Sequence, residues 1–131
     1  MGERTVNWLI YTCLLGLVPV VARLLVWVIS NSGVDVLAIS DLVAFGLVLH
    51  SANINEVNRS SHSDPEWQTV HNGVSILFIV LYALLLFATI SSPTNLNKTS
   101  LLYTTLLLSA VSFGLSWNVF KRAQVDLEAS R

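Results

Sequence analysis

Four long apolar runs divide this chain and constrain its fold more than any other feature. They cover residues 7–29, 34–50, 73–90 and 100–120. A helix of about 20 residues crosses a hydrocarbon core of roughly 30 Å, and backbone groups in lipid must be hydrogen-bonded within the segment. The sequence therefore predicts an all-α polytopic membrane protein, a single membrane domain with four transmembrane helices arranged as two antiparallel hairpins.

Composition supports this prediction and excludes other classes of protein. Of the 131 residues, 53% are hydrophobic and 11% are charged, whereas soluble domains carry about 25% charged residues. The net charge of −1 provides no basic surface that would bind nucleic acid directly. No nucleophile motif or glycine-rich phosphate loop occurs, and no histidine or lysine within the spans is expected to activate the serines of the fourth run. We predict no enzymatic activity, no cofactor and no catalytic or metal site.

Basic residues are distributed unevenly over the connections between the runs. Those outside the runs that fall on one side of the membrane are Arg4, Arg59, Lys121, Arg122 and Arg131, and the other side has only Lys98. Lysine and arginine concentrate on the cytoplasmic side of membrane proteins. We therefore expect a multi-pass protein of the cell inner (plasma) membrane, with both termini, a hairpin of residues 51–72 and a tail of residues 121–131 in the cytoplasm.

Residues 51–72 form the one long connection and contain signals for two helix extensions. Asp64 fits the N-cap position of a helix, and Pro65 fits its first turn. No helix-breaking residue separates His50 from Asn58. We therefore expect the third helix to begin near Pro65, the second to continue toward Asn58, and a stiff helical hairpin to project from the inner face.

Two opposite charges lie within the first two runs, Arg23 in the first and Asp41 in the second. A charge at the bilayer centre costs from about 2.5 to more than 10 kcal/mol. Each residue lies about six positions from the outer end of its run, which is a depth of roughly 9 Å. We predict an intramembrane ion pair that fixes the first hairpin. An intersubunit pair, a ring of charges along an aqueous path, and a proton or substrate relay are the alternatives.

The fourth run carries a stripe of hydroxyl residues, Thr105, Ser109, Ser112 and Ser116. Their spacing of four, three and four residues puts them on one helix face. Small polar faces of this kind are typical of helix–helix interfaces in lipid, and the lining of a pore in an oligomer is the alternative. The third run is almost fully apolar, so it is the best candidate for a lipid-facing helix.

The cytoplasmic hairpin and tail offer the surface for a soluble partner. The residues that we predict to dock it are Arg59, His62, Glu66, Trp67, Lys121 and Arg122. The three histidines, His50, His62 and His71, lie in or beside the hairpin without the spacing of metal ligands. We expect solvated loop histidines, with a metal or pH site where His50 faces His71 as the alternative.

The plan of four spans, internal termini and a cytoplasmic hairpin around residues 59–67 resembles the small four-helix membrane subunit of bacterial Kiwa-type antiphage systems. That resemblance implies a subunit that works with a cytoplasmic partner. Small multidrug transporters share the four-span plan, but they carry an essential glutamate in the first span. This chain has Arg23 and no acidic residue there.

These features together favour a non-enzymatic membrane subunit that assembles as a homo-oligomer in the lipid bilayer. It would dock a cytoplasmic protein and sense or transmit a membrane perturbation, in keeping with antiphage defence. The alternative is an oligomeric ion channel or small-solute transporter that uses Arg23, Asp41 and the hydroxyl stripe.

Overall fold

The computed structural model describes residues 3–30, 33, 35–60, 64–91 and 97–129, and the regular structure of these residues is entirely helical. This confirms the prediction of an all-α fold for that part of the chain. The elements in order are α1 (Glu3–Trp8), a π-helical segment (Leu9–Leu14), α2 (Leu15–Ile29), α3 (Ile39–Arg59), α4 (Pro65–Ser91) and α5 (Lys98–Ala129).

Three helical stretches of the described chain are long and apolar enough to cross a membrane, as expected of a membrane protein. They are Val6–Ile29, Pro65–Ser91 and Lys98–Val125, and they contain the first, third and fourth predicted spans. The second stretch, which is α4, is the least buried of the three. This low burial agrees with the prediction that the third run faces lipid.

The second predicted span, residues 34–50, differs in the structure. α3 begins at Ile39, directly after the extended residue Ala38, so the predicted helix start was wrong. Its apolar part runs from Ile39 to His50, a length of about 18 Å. Polar residues dominate the remaining turns to Arg59. By composition α3 is therefore not apolar enough to count as a membrane-crossing helix. Of the connection between the first two predicted spans, residues 31 and 32 lie outside the described residues.

α3 lies at the centre of the bundle. It packs against the π-helical segment, α2, α4 and α5, whereas the backbones of α4 and α5 approach each other at few positions. Gly16 allows α2 to approach closely, because a Cβ at this position would lie 2.8 Å from Cδ2 of Phe45 on α3. The polar helix is thus shielded by more apolar neighbours.

The helix boundaries around the long connection agree with the sequence. α3 continues to Arg59, and α4 begins at Pro65. The backbone N–H of Glu66 donates to Asp64 Oδ1 at 3.1 Å, which is the side-chain cap that the sequence predicts. The predicted extension of both helices beyond the apolar runs is confirmed.

Candidate functional site

The opposite charges of the first two predicted spans meet in the structure. Arg23 on α2 donates through Nε to Oδ2 of Asp41 in the first turn of α3, forming an ion pair. The Asp41 side chain is 9% exposed and the Arg23 side chain 29%. Both belong to one chain, so their pairing needs no second subunit. The contact ties α2 to α3 and neutralises two charges that would be costly in lipid.

The hydroxyl stripe of α5 faces the interior of the bundle. Thr105, Ser112 and Ser116 are fully buried, and each donates to the backbone carbonyl four residues earlier. Ser109 lies 3.4 Å from the carbonyl oxygen of Leu42 on α3, to which its hydroxyl donates. The stripe is therefore a packing face within one chain, and it is covered rather than free to line a pore between chains.

A buried polar network joins α3, α4 and α5. His50 Nε2 lies 2.9 Å from Ser112 Oγ, and the Tyr82 hydroxyl lies 2.9 Å from the same oxygen. The Tyr82 hydroxyl oxygen also lies 3.5 Å from Ser109 Oγ. The His50 ring stacks on Phe78, with the ring centroids 4.7 Å apart. Each of the three helices contributes a polar side chain, so the network fixes their mutual positions.

The hydrogens of this network follow from counting donors. Ser112 has one hydroxyl hydrogen, and its bond to Leu108 O at 2.8 Å uses it. Ser112 Oγ then accepts from the Tyr82 hydroxyl and from His50 Nε2–H, an arrangement that uses every polar hydrogen of the three side chains. In this tautomer His50 Nδ1 is an unprotonated acceptor, and the atom is buried without a partner among the described residues.

Two expectations about His50 are wrong. It is not a solvated loop histidine, because it is fully buried. It also lies beside Ser112, although the sequence placed no activating histidine near the serines of the fourth run. The Ser112 hydroxyl nevertheless donates to a carbonyl, and no carboxylate contacts His50 Nδ1 in the described part of the chain. The geometry therefore lacks the oriented base that activates a serine nucleophile.

His71 has partners different from those of His50. Its ring centroid lies 4.5 Å from that of the Trp67 ring, and its Nδ1 lies 3.0 Å from the Trp67 carbonyl oxygen. Both contacts lie within α4. The predicted alternative of a shared His50–His71 site is thus not supported by the contacts of either ring.

Tyr82 and Gly46 are important positions that sequence reasoning missed. Tyr82 lies in the apolar third run, yet it is the largest of the fully buried side chains described. A Cβ added to Gly46 would overlap the Tyr82 ring, so only glycine lets the ring cross α3 at this point. The available signals were a polar hydroxyl in the middle of an apolar run and a glycine one turn before His50.

Aromatic rings gather where α1 and α4 begin and α3 and α5 end. Trp8 stacks on Phe120 with ring centroids 4.6 Å apart, and it lies 6.1 Å from the Trp117 ring. We call this end of the bundle, which also contains Trp67, the aromatic end. The stacked rings hold the end of α1 against α5.

Most of the residues predicted to dock a partner lie at the aromatic end. Lys121 Nζ is 5.4 Å from the centroid of the Trp117 ring, and the Arg122 guanidinium is 5.1 Å from that of Trp67. Such cation–π contacts restrain a charged side chain without removing its charge from solvent. The remaining predicted residues are Arg59 and Glu66, both exposed, and His62, which lies outside the described residues.

Side-chain hydrogen bonds join the end of α3 to the beginning of α4. Gln68 donates to the Ser60 carbonyl oxygen at 2.6 Å, and the Asn72 amide donates to Asn58 Oδ1 at 3.0 Å. Both bonds join the last residues around the end of α3 to the first turns of α4, so they hold the two helices of the hairpin together. This bracing is consistent with the stiff hairpin predicted from the sequence.

A cleft of about 670 Å³ lies at the end of the bundle opposite the aromatic end. It is lined by residues 35–40, by Thr89 on α4 and by the first turns of α5. Most of its walls are apolar, and Asp35 and Lys98 are its charged residues. No sequence pattern predicted this cleft, because its lining comes from three separate segments of the chain.

The candidate site thus has three parts, which are the Arg23–Asp41 pair, the network around His50 and the aromatic end. No group of three or more histidine, cysteine, aspartate or glutamate side chains within the described ranges is placed to hold a metal ion. No family model matches the chain, and no curated protein or solved structure matches it.

Proposed function

We propose that this protein is a non-enzymatic subunit of the cell inner membrane that docks a cytoplasmic protein and transmits a membrane perturbation to it. The aromatic end carries this proposal, because charged side chains are held there on aromatic rings at the surface. Interfaces between proteins are enriched in tryptophan and arginine, and preordered side chains lower the entropic cost of binding. Antiphage defence of the Kiwa type is the physiological setting that we propose.

The proposed topology has four spans, with both termini and the aromatic end in the cytoplasm. α3 would be the fourth span, since its neighbours cover its polar residues. The part of α3 before the hairpin, residues 39–50, extends about 18 Å, so residues 35–38 and the first turns of the hairpin would complete the crossing of a core of roughly 30 Å. The exposed basic residues Arg59, Lys121 and Arg122 then lie on the inner side, in accord with the positive-inside rule.

α3 is the element that would carry a perturbation from the membrane to the docked protein. Asp41 in its first turn is bonded to α2, and Ser60 after its last turn is bonded to α4. A change in bilayer thickness that tilts α2 would act on the ion pair and shift α3 along its neighbours. Small shifts of packed helices are a common form of conformational switching.

A homo-oligomer is part of this proposal, but the hydroxyl stripe does not support it because α3 covers the stripe within one chain. Outward apolar faces, such as that of α4 around Leu84, would have to supply the contacts between subunits. Helix association in lipid depends on close packing of such faces rather than on their hydrophobicity.

The test is purification of the full chain from its host membranes, followed by native mass spectrometry. We expect a soluble companion protein with the wild type and with Lys98→Glu, a matched charge reversal on the opposite end of the bundle. The double variant Lys121→Glu, Arg122→Glu should lose the companion while the membrane assembly stays intact. A companion retained by the double variant, or no companion with the wild type, would contradict the proposal.

An oligomeric ion channel or small-solute transporter is the second candidate, and the cleft opposite the aromatic end together with the Arg23–Asp41 pair favours it. Reconstituted liposomes would then show an ion or solute flux that Asp41→Asn abolishes. Flux that persists in Asp41→Asn, or no flux above that of empty liposomes, would exclude this role for the pair.

A further inference from the structure

Four buried side-chain atoms of the described residues have no hydrogen-bond partner, and their residues belong to the second half of α3, the position directly after it and the facing helix α4. They are His50 Nδ1, Asn53 Oδ1, Ser60 Oγ and Asn72 Oδ1. Buried polar atoms in folded proteins almost always have a partner, which is often an ordered water molecule. A group of such atoms in one region therefore points to a ligand of water-like chemistry.

These atoms follow one seam between α3 and α4, toward the aromatic end. His50 and Asn53 share one face of α3, because they are spaced by three residues, and Ser60 directly follows the last turn of this helix. Asn72 on α4 lies at the level of Asn58, its hydrogen-bond partner. The seam from His50 to Ser60 is about 15 Å long. A single water that bonds two atoms spans about 5.5 Å, so a file of a few waters can connect these positions.

The first two positions fit one water molecule especially well. His50 Nδ1 is an unprotonated acceptor, since its Nε2–H donates to Ser112. Asn53 Oδ1, one turn further along α3, is also an acceptor. Two acceptors cannot bond to each other, but the two hydrogens of one water can satisfy both.

No charged side chain contacts His50 from the elements packed around it, as far as the chain is described. From α4 the titratable neighbour is Tyr82, with ring centroids 6.2 Å apart, and α5 contributes the Ser112 hydroxyl. The charged side chain of α2 is Arg23, which is paired with Asp41 near the other end of α3. A positive charge on His50 would therefore need solvation by the seam itself.

We propose that the seam binds a file of water molecules, which makes His50 Nδ1 a proton-binding site reached from the aromatic end. The water at Nδ1 gives a proton to the ring and receives one from the next water, and so on to the solution. The net change is one proton taken from solution and one new N–H bond, which Asn53 Oδ1 accepts directly or through water. The Nε2–H bond to Ser112 is kept. This site goes beyond partner docking, which uses exposed residues, and does not depend on it.

The experiment uses the full chain with ¹⁵N-labelled histidine in lipid nanodiscs. Magnetisation transfer from water to the imidazole reports hydration, and the ring ¹⁵N shifts report protonation. His50→Gln identifies the His50 signal, and His71 serves as an internal reference for a ring near the helix start. We expect water transfer to His50, and a change of both ring nitrogens to the protonated form on acidification.

Two matched variants separate the seam from general effects on α3. Asn53→Leu removes the acceptor next to His50 and should abolish the water transfer, whereas Asn55→Leu, at an exposed position of α3, should leave it unchanged. Ser60→Ala, further along the seam, should weaken the transfer. It replaces Asn53→Leu as the test variant if Asn53→Leu does not fold. A wild-type His50 that shows no water contact and stays neutral on acidification would overturn the proposal, as would equal effects of Asn53→Leu and Asn55→Leu.

Discussion

α3 and α4 lie side by side, but they combine polarity and burial in opposite ways. α3 buries polar side chains such as Asp41, His50 and Asn53, whereas α4 exposes large apolar ones such as Leu77 and Phe87. In water the apolar helix would form the core. In lipid the polar helix gains more from being enclosed, because its charged and hydrogen-bonding groups have no partners in hydrocarbon. Hydropathy therefore identifies the helices that contact lipid, and it does not identify the central one.

Removing one charge from α3 should have the largest effect on stability and therefore tests this contrast between α3 and α4 most strongly. Asp41→Ala leaves Arg23 unpaired, and the loss of one partner of a buried ion pair costs about 3–5 kcal/mol. We expect a large fall in the yield of folded protein extracted in mild detergent. Arg23→Ala together with Asp41→Ala should recover part of the loss. A double variant that is less stable than either single variant would show that the two charges do not stabilise each other.

Leucine truncations on the two helices give the next largest contrast. Leu49 on α3 is fully buried, whereas Leu84 on α4 is 57% exposed. We expect Leu49→Ala to lower the free energy of unfolding near the lower limit of the roughly 2–5 kcal/mol typical of buried leucine, because lipid also solvates this side chain in the unfolded chain. Leu84→Ala should change it by less than about 0.5 kcal/mol. Equal losses in detergent unfolding curves would place α4 inside the bundle as well.

The close crossing of α3 and Tyr82 can be tested with glycines. Gly46→Ala puts a methyl group into the Tyr82 ring, and overpacking of this kind costs about 1–3 kcal/mol. Gly114→Ala on α5 is the matched control, since no atom lies within 4 Å of its added Cβ. The free energy of unfolding of Gly114→Ala should stay constant or rise by up to about 1 kcal/mol, because alanine has a higher helix propensity than glycine. If Gly46→Ala is as well tolerated as Gly114→Ala, Tyr82 does not occupy this position.

An effect of similar size is expected from the polar network. Ser112→Ala leaves His50 and Tyr82 without their shared acceptor, and an unsatisfied buried polar group costs about 1–3 kcal/mol. Ser100→Ala, at an exposed position near the start of α5, should have almost no effect. Thermal unfolding in the same detergent compares the two variants. Similar midpoints would mean that the network adds nothing to the stability of the bundle.

Much of the fold could be predicted from local patterns. The apolar runs locate three helical stretches that are long and apolar enough to cross a membrane, and the Asp64–Pro65 signal locates the start of α4. The pairing of Arg23 with Asp41 follows from equal depth in consecutive spans and from the cost of an isolated charge in lipid. Each of these inferences depends only on length, composition or a helix-capping rule.

The rest depends on which helix faces meet, and a single sequence does not contain that information. His50 looked like a loop residue because it lies at the polar end of its run, but α4 and α5 enclose it. Tyr82 looked like one more lipid-facing residue because it lies in the middle of an apolar run. The hydroxyl stripe of α5 was predicted as a packing or pore face, and spacing alone cannot tell a partner in the same chain from one in another chain.

The most direct test of a polar helix enclosed by apolar neighbours is carbene labelling of the wild-type chain in lipid nanodiscs. A lipid-soluble diazirine labels residues in contact with hydrocarbon, and mass spectrometry locates them. We predict labels on the outward faces of α2, α4 and α5, around Leu25, Leu84 and Leu107, and none on α3 from Ile39 to Val57. Periodic labels along α3 at the intensity seen on α4 would contradict the central position of α3.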